Sequence, residues 1–158
     1  MARCLNEMSR RGFLLSWCSV ASIALAPSAR GEDSQDPWSK TELMEPLELA
    51  TVLNSHGAVP HVYCVAFPVL YRGKHILGAV FVGPASKTEG ITDLRTAVRT
   101  LPKDAAIVIY CGCCPMKACP NIRPAYRTLK ALGFNNLHVL DLPTNLHTDW
   151  TLKGYPVA

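Results

Sequence analysis

One run constrains this chain more than any other: Ile107-Val108-Ile109-Tyr110-Cys111-Gly112-Cys113-Cys114-Pro115-Met116-Lys117-Ala118-Cys119-Pro120-Asn121-Ile122-Arg123-Pro124. Its first four residues, apolar and mostly β-branched, predict a fully buried strand. Strand becomes loop at Cys111, three more cysteines follow, and Asn121 is placed to cap a helix whose first turn tolerates Pro124. In open α/β sheets ligands gather outside the carboxyl ends of the strands, and a helix N-terminus offers unpaired N–H groups and a positive dipole end to an anion. A thiolate at Cys111 is therefore expected to have a lowered pKa and to be reactive.

The flanking sequence supplies a sheet for that strand. Leu43 and Met44 predict a short first strand, and residues 46–54 have helical apolar spacing that ends near Gly57, with His56 placed to cap it. Residues 61–66 and 76–83 read as strands with a loop over 68–74, in which Tyr71, Arg72 and Lys74 are candidates to border the site. A helix begins at Thr88 and runs to Pro102; Arg95 and Arg99, four apart, read as a solvated face. After the cysteine loop come a helix over 122–132, closed by Gly133, and a strand over 137–142. The loop that follows, over 143–147, again lies at a strand's carboxyl end, so Asn145, His147 and Asp149 are candidates to face Cys111. Strands alternating with helices imply a parallel sheet covered on both faces.

The N-terminal stretch has a different character. Ser9-Arg10-Arg11-Gly12-Phe13-Leu14-Leu15 matches a twin-arginine export signal, and the apolar stretch over 13–29 is short for a membrane span and leads into small residues suited to cleavage. The expected organisation is a signal peptide over 1–31, a flexible lead-in over 32–40 and one domain over 41–158, working in the periplasm and meeting the membrane only during export. The net charge of +4 over 158 residues is mostly the signal's, since Arg3, Arg10, Arg11 and Arg30 face only Glu7 there. With no basic stripe and no interleaved aromatics, nucleic acid is excluded as a partner. Export leaves Cys64, Cys111, Cys113, Cys114 and Cys119 of the seven cysteines, an odd number that disulfides alone cannot use.

Tyr110-Cys111, the helix end Leu132-Gly133-Phe134, the strand over 137–142, Trp150 and Gly154-Tyr155-Pro156-Val157 together resemble a rhodanese-like domain. His75-Ile76-Leu77-Gly78-Ala79 resembles that family's HIPGA segment, with Leu77 in the proline position and His75 structural. The resemblance implies an α/β fold with a mainly parallel sheet of about five strands, and a sulfurtransferase in which Cys111 is the nucleophile. It also implies an active-site loop comprising Gly112, Cys113, Cys114, Lys117, Cys119, Asn121 and Arg123, in which loop amides, Lys117 and Arg123 balance an anionic donor. No cofactor is implied, and the partner is a small sulfur-containing anion or a protein thiol. The chain departs from the family twice: an Asp and an Arg that support the loop fall on Cys64 and Ala66, and the interval from Cys111 to Gly133 is about five residues longer.

The loop supports several chemistries. As a thiolate, Cys111 can take the outer sulfur of a donor such as thiosulfate and pass it to cyanide or a thiol. The pattern CxCCxxxxC also offers Cys111, Cys113, Cys114 and Cys119 as soft ligands for zinc, copper(I) or a cluster. Thiol–disulfide exchange would use Cys113 or Cys114 to resolve a bond on Cys111, with Cys119 as a further candidate. A structural disulfide, most simply Cys114 to Cys119, accompanies any of these. Phosphatase-like chemistry fits poorly, because Lys117 stands where CxxxxxR needs the planar fork of arginine.

Overall fold

A computed structural model describes residues 36–55 and 57–158 of the chain. The signal motif, Cys4, Cys18 and His56 lie outside the described residues.

Ile107–Tyr110 forms a strand in which every residue is buried, as expected of an apolar run enclosed on both faces. It is β4, the middle strand of a five-stranded parallel sheet ordered β1-β5-β4-β2-β3. The others are β1 (Leu43–Met44), β2 (His61–Cys64), β3 (Val80–Phe81) and β5 (Leu137–Leu140). In register, β4 sets Val108 against Val62 and His138, and Ile109 against Tyr63 and Val139. Five α-helices surround the sheet among the described residues: α1 (Pro46–Leu53), α2 (Pro68–Gly73), α3 (Thr88–Ala97), α4 (Ile122–Ala131) and α5 (Leu146–Asp149). This is the α/β architecture that the alternating elements predict.

Several boundaries differ from expectation for identifiable reasons. The strand expected over 76–83 shrinks to Val80–Phe81, because Ile76 to Ala79 closes a turn with Gly78 at φ 76° and Ala79 N–H bonded to the Ile76 carbonyl. Ile76 instead makes a single antiparallel bridge to Val157. Residues 68–73, expected as loop, form α2 with Pro68 in its first turn, where the missing N–H costs nothing. The loop expected over 143–147 likewise coils into α5, with Asn145 Oδ1 accepting from Thr148 N–H as its cap. Helix α3 stops at Ala97, short of Pro102, and Gly90 within it approaches Pro84 so closely that a Cβ would stand 2.3 Å from that carbonyl oxygen.

Residues 36–39, placed by sequence in a lead-in, lie against the domain. Trp38 is buried edge-on to Tyr126, with ring centroids 5.6 Å apart, and the Arg123 guanidinium stands over its ring. Behind it Glu42 accepts from Ser39 N–H at 2.8 Å, Tyr126 Oη at 2.7 Å and Lys130 Nζ at 3.0 Å. The C-terminal segment is held similarly, with Trp150 fully buried and its indole N–H on the Pro156 carbonyl. His75 stacks on Tyr71 and shares a hydrogen bond with its carbonyl, the structural role expected of it.

Candidate functional site

Cys111 is the first residue beyond β4, so its thiol stands at the carboxyl edge of the central strand, where α/β sheets place their ligands. The thiol is 3% exposed and borders a cleft of about 470 Å³. Gly112 and Cys113 continue the cleft floor, Val69, Leu70 and Tyr71 of α2 form one wall, and Asn145, Leu146 and His147 form another, with Lys74 also lining the space. At Gly112 the chain has φ 74°, and a Cβ there would meet Leu146 Cβ at 2.6 Å. Glycine is required at this position on both counts.

The cysteine loop gathers its thiols. Cys113 Sγ lies 3.1 Å from Cys111 Sγ and 3.2 Å from Cys114 Sγ, while the Sγ atoms of Cys111, Cys113 and Cys119 all lie within 4.8 Å of one another. All five described cysteines are free, so the expected Cys114–Cys119 disulfide is not formed in this structure. Asn121 is fully buried, but its side chain does not cap α4 as expected. Its own backbone is already helical, which turns the side chain elsewhere: Nδ2 donates to Cys111 Sγ at 3.3 Å and Oδ1 accepts from Ser86 N–H at 2.9 Å.

The charge falls on a different thiol from the one that sequence indicates. Interaction with the neighbouring Cys111 thiol, and then the N–H groups of Asn121 and Ile122 at the start of α4, outweigh burial and lower Cys119 to about 6. Cys111, close to the Cys119 thiol and buried, is shifted strongly upward, with Asn121 opposing only in part. The lowered pKa expected at Cys111 thus belongs to Cys119, the thiol that meets the amides at the start of α4. The extra residues of the loop explain this, because they insert Cys119 between Cys111 and the helix N-terminus. Burial and the neighbouring thiols push Cys114 up to about 12.

The two cations assigned to the loop do other work. Arg123 donates to the carbonyls of Cys119 at 3.3 Å and Lys117 at 2.9 Å and pairs with Asp36, so it braces the loop backbone and does not line the cleft. Lys117 is exposed and also outside the cleft lining. Among the residues proposed to border the site, Tyr71, Lys74, Asn145 and His147 line it; Arg72 does not, and Asp149 turns its carboxylate to the N–H groups of Thr144 and Asn145. Cys64 and Ala66, where the resemblance implied charged supports, are buried, and the upward shift of the Cys64 thiol comes from desolvation. Asn121 and Arg123 support the loop in their stead. The apolar wall of α2 went unforeseen, although Pro68 two residues before Leu70 is a helix-start signal.

No family model matches the chain, and no curated protein is detectably similar to it in sequence. Its fold is nevertheless found among solved structures. The rhodanese-like domain of the Alr3790 protein of Anabaena sp. superposes with a TM-score of 0.53 at 23% identity, over 74% of this chain and 78% of that one. The BH2092 protein of Bacillus halodurans gives 0.56 at 21% identity, over 73% and 74%. A thiosulfate sulfurtransferase of Pseudomonas aeruginosa gives 0.56 at 23% identity, over 78% of this chain but only 20% of that chain. The chain has the rhodanese-like fold.

Proposed function

We propose that this protein is a sulfurtransferase that carries sulfane sulfur on Cys111. The observation that carries the reading is the place of Cys111: a thiol at the carboxyl end of the central strand, at the floor of a cleft wide enough for a small donor or the side chain of an acceptor. The similarity in fold to a thiosulfate sulfurtransferase supports it.

The proposed reaction uses Cys119 as the base for Cys111. As a donor such as thiosulfate enters, the Cys111 thiol passes its proton to the Cys119 thiolate, and Cys111 sulfur attacks the donor's outer sulfur. A sulfur–sulfur bond forms at Cys111, the bond to the sulfonate breaks, and sulfite leaves with the electron pair. Cyanide or a thiolate then attacks the outer sulfur; the pair returns to Cys111, which recovers its proton from Cys119. Asn121 holds Cys111 throughout, and the α4 amides hold the negative charge on Cys119 whenever it is deprotonated. The apolar walls from Val69, Leu70 and Leu146 suit an acceptor thiol with an apolar body better than a bare inorganic ion.

Loading with thiosulfate and counting cyanide-labile sulfur tests this. One labile sulfur per chain, lost in Cys111→Ser and retained in Cys64→Ser, is expected; equal labelling of Cys111→Ser would overturn the assignment. The sequence 9–15 supports export by the twin-arginine route, with the domain over 41–158 acting in the periplasm. Replacing Arg10 and Arg11 by lysine is expected to leave an uncleaved precursor in the cytoplasmic fraction, whereas unchanged processing would contradict that reading.

A further inference from the structure

The loop thiols also converge in a way that sulfur transfer does not require. A second cavity, of about 10 Å³, is lined by Cys111, Gly112, Cys114, Met116 and Cys119 with Ile122, Leu140 and Leu142 around them, while Cys113 faces the larger cleft beside it. That is about the volume of one water-sized sphere. Its lining holds sulfur and hydrocarbon, with no carboxylate, imidazole or hydroxyl to attract a hard ion or to hold water. Three Sγ atoms, of Cys111, Cys113 and Cys119, lie within 4.8 Å of one another, the first two 3.1 Å apart. Thiolates about 2.3 Å from one shared ion in a trigonal plane stand about 4 Å apart, within the span these atoms already occupy.

We infer that Cys111, Cys113 and Cys119 form a three-thiolate site for a soft monovalent cation of the copper(I) class. Thiolate and thioether donors select copper(I), zinc and iron–sulfur clusters over magnesium, calcium or manganese. Structural zinc needs a fourth ligand in tetrahedral array, and Cys114, adjacent to Cys113 in sequence, is not among the three Sγ atoms that converge. An iron–sulfur cluster takes four thiolates, one more than converge here. Binding is a ligand exchange with no redox change: the ion displaces the remaining thiol protons to solvent. The negative charge that results meets the Asn121 amide at Cys111 and the N-terminal amides of α4 at Cys119. The inference stands independently of sulfur transfer, but sharing Cys111 makes the two states mutually exclusive.

The test is an anaerobic titration of the reduced full chain with copper(I) against a chromogenic copper(I) chelator. One copper per chain is expected, with Cys111→Ser, Cys113→Ser and Cys119→Ser each losing more than the 10–100-fold that outer-shell changes cost. Cys64→Ser is expected to bind as the parent does. X-ray absorption should show three sulfur neighbours at about 2.3 Å. A measurement on the unaltered chain guards against misfolded variants: copper should shield Cys113 from alkylation and leave Cys114 reactive. Loss of all copper to the chelator, loss in Cys64→Ser alone, shielding of Cys114 in place of Cys113, or a four-sulfur shell preferring zinc would overturn the inference.

Discussion

At the scale of single residues, the chemistry depends on where one proton sits. A buried thiol is a poor nucleophile until something takes its proton, and among the thiols gathered around Cys111 the one whose pKa is lowered is Cys119, to about 6, by its interaction with Cys111 and by the amides at the start of α4. Sulfur transfer is therefore expected to rise as pH increases through about 6, when Cys119 deprotonates, and to level off above it. In Cys119→Ser that step should vanish and the residual rate should climb only above the ordinary thiol range of about pH 8.5, because Cys111 stays buried. A parent profile still rising steeply between pH 8 and 9 would show that Cys119 is not the base. Sequence located Cys111 at the carboxyl end of β4 because an apolar β-branched run stopping at a cysteine is a local signal. It misplaced the charge because pKa depends on which thiol meets the helix N-terminus in space. A reader applying the dipole to the thiol nearest Asn121 would have chosen Cys119.

At the scale of elements, β4 and α4 position the site between them. Ile109 is fully buried and pairs in register with Tyr63 and Val139. Ile109→Ala should cost about 2–5 kcal/mol in denaturant unfolding, from lost burial and the cavity left behind. A change below about 1 kcal/mol would mean that the central strand is less tightly packed than its burial indicates. These long, strongly patterned elements were legible in the sequence, as was the five-stranded parallel sheet. Helices α2 and α5 were not, since six and four residues carry too little periodicity to separate a turn of helix from a loop. The cleft walls come from those two short helices, which is why the site's thiols were legible and its apolar lining was not.

At the scale of the molecule, residues 36–42 tie the start of the domain to α4 through Trp38 and Glu42. Backbone hydrogen bonding from Ser39, then Tyr126 and Lys130, lowers Glu42 to about 2 against the opposing effect of burial. A depressed folded-state pKa contributes stability that is present above the unfolded value, about 4.3, and is lost as pH falls from there toward 2. Glu42→Gln should therefore flatten the acid limb of a stability–pH curve; an unchanged slope between pH 5 and 2 would show that the contact contributes nothing. Sequence placed Trp38 in a polar lead-in, because burial of one aromatic against a helix far along the chain leaves no local pattern.

The central claim is that Cys111 carries sulfur. The most direct measurement is the intact mass of the protein after thiosulfate treatment and desalting, under native and denaturing conditions, without reductant. The account predicts a covalent species one sulfur atom heavier that survives denaturation, returns to baseline with cyanide and is absent from Cys111→Ser. A chain that gains no sulfur while Cys111 remains a reduced thiol, or one that gains it equally in Cys111→Ser, would contradict it.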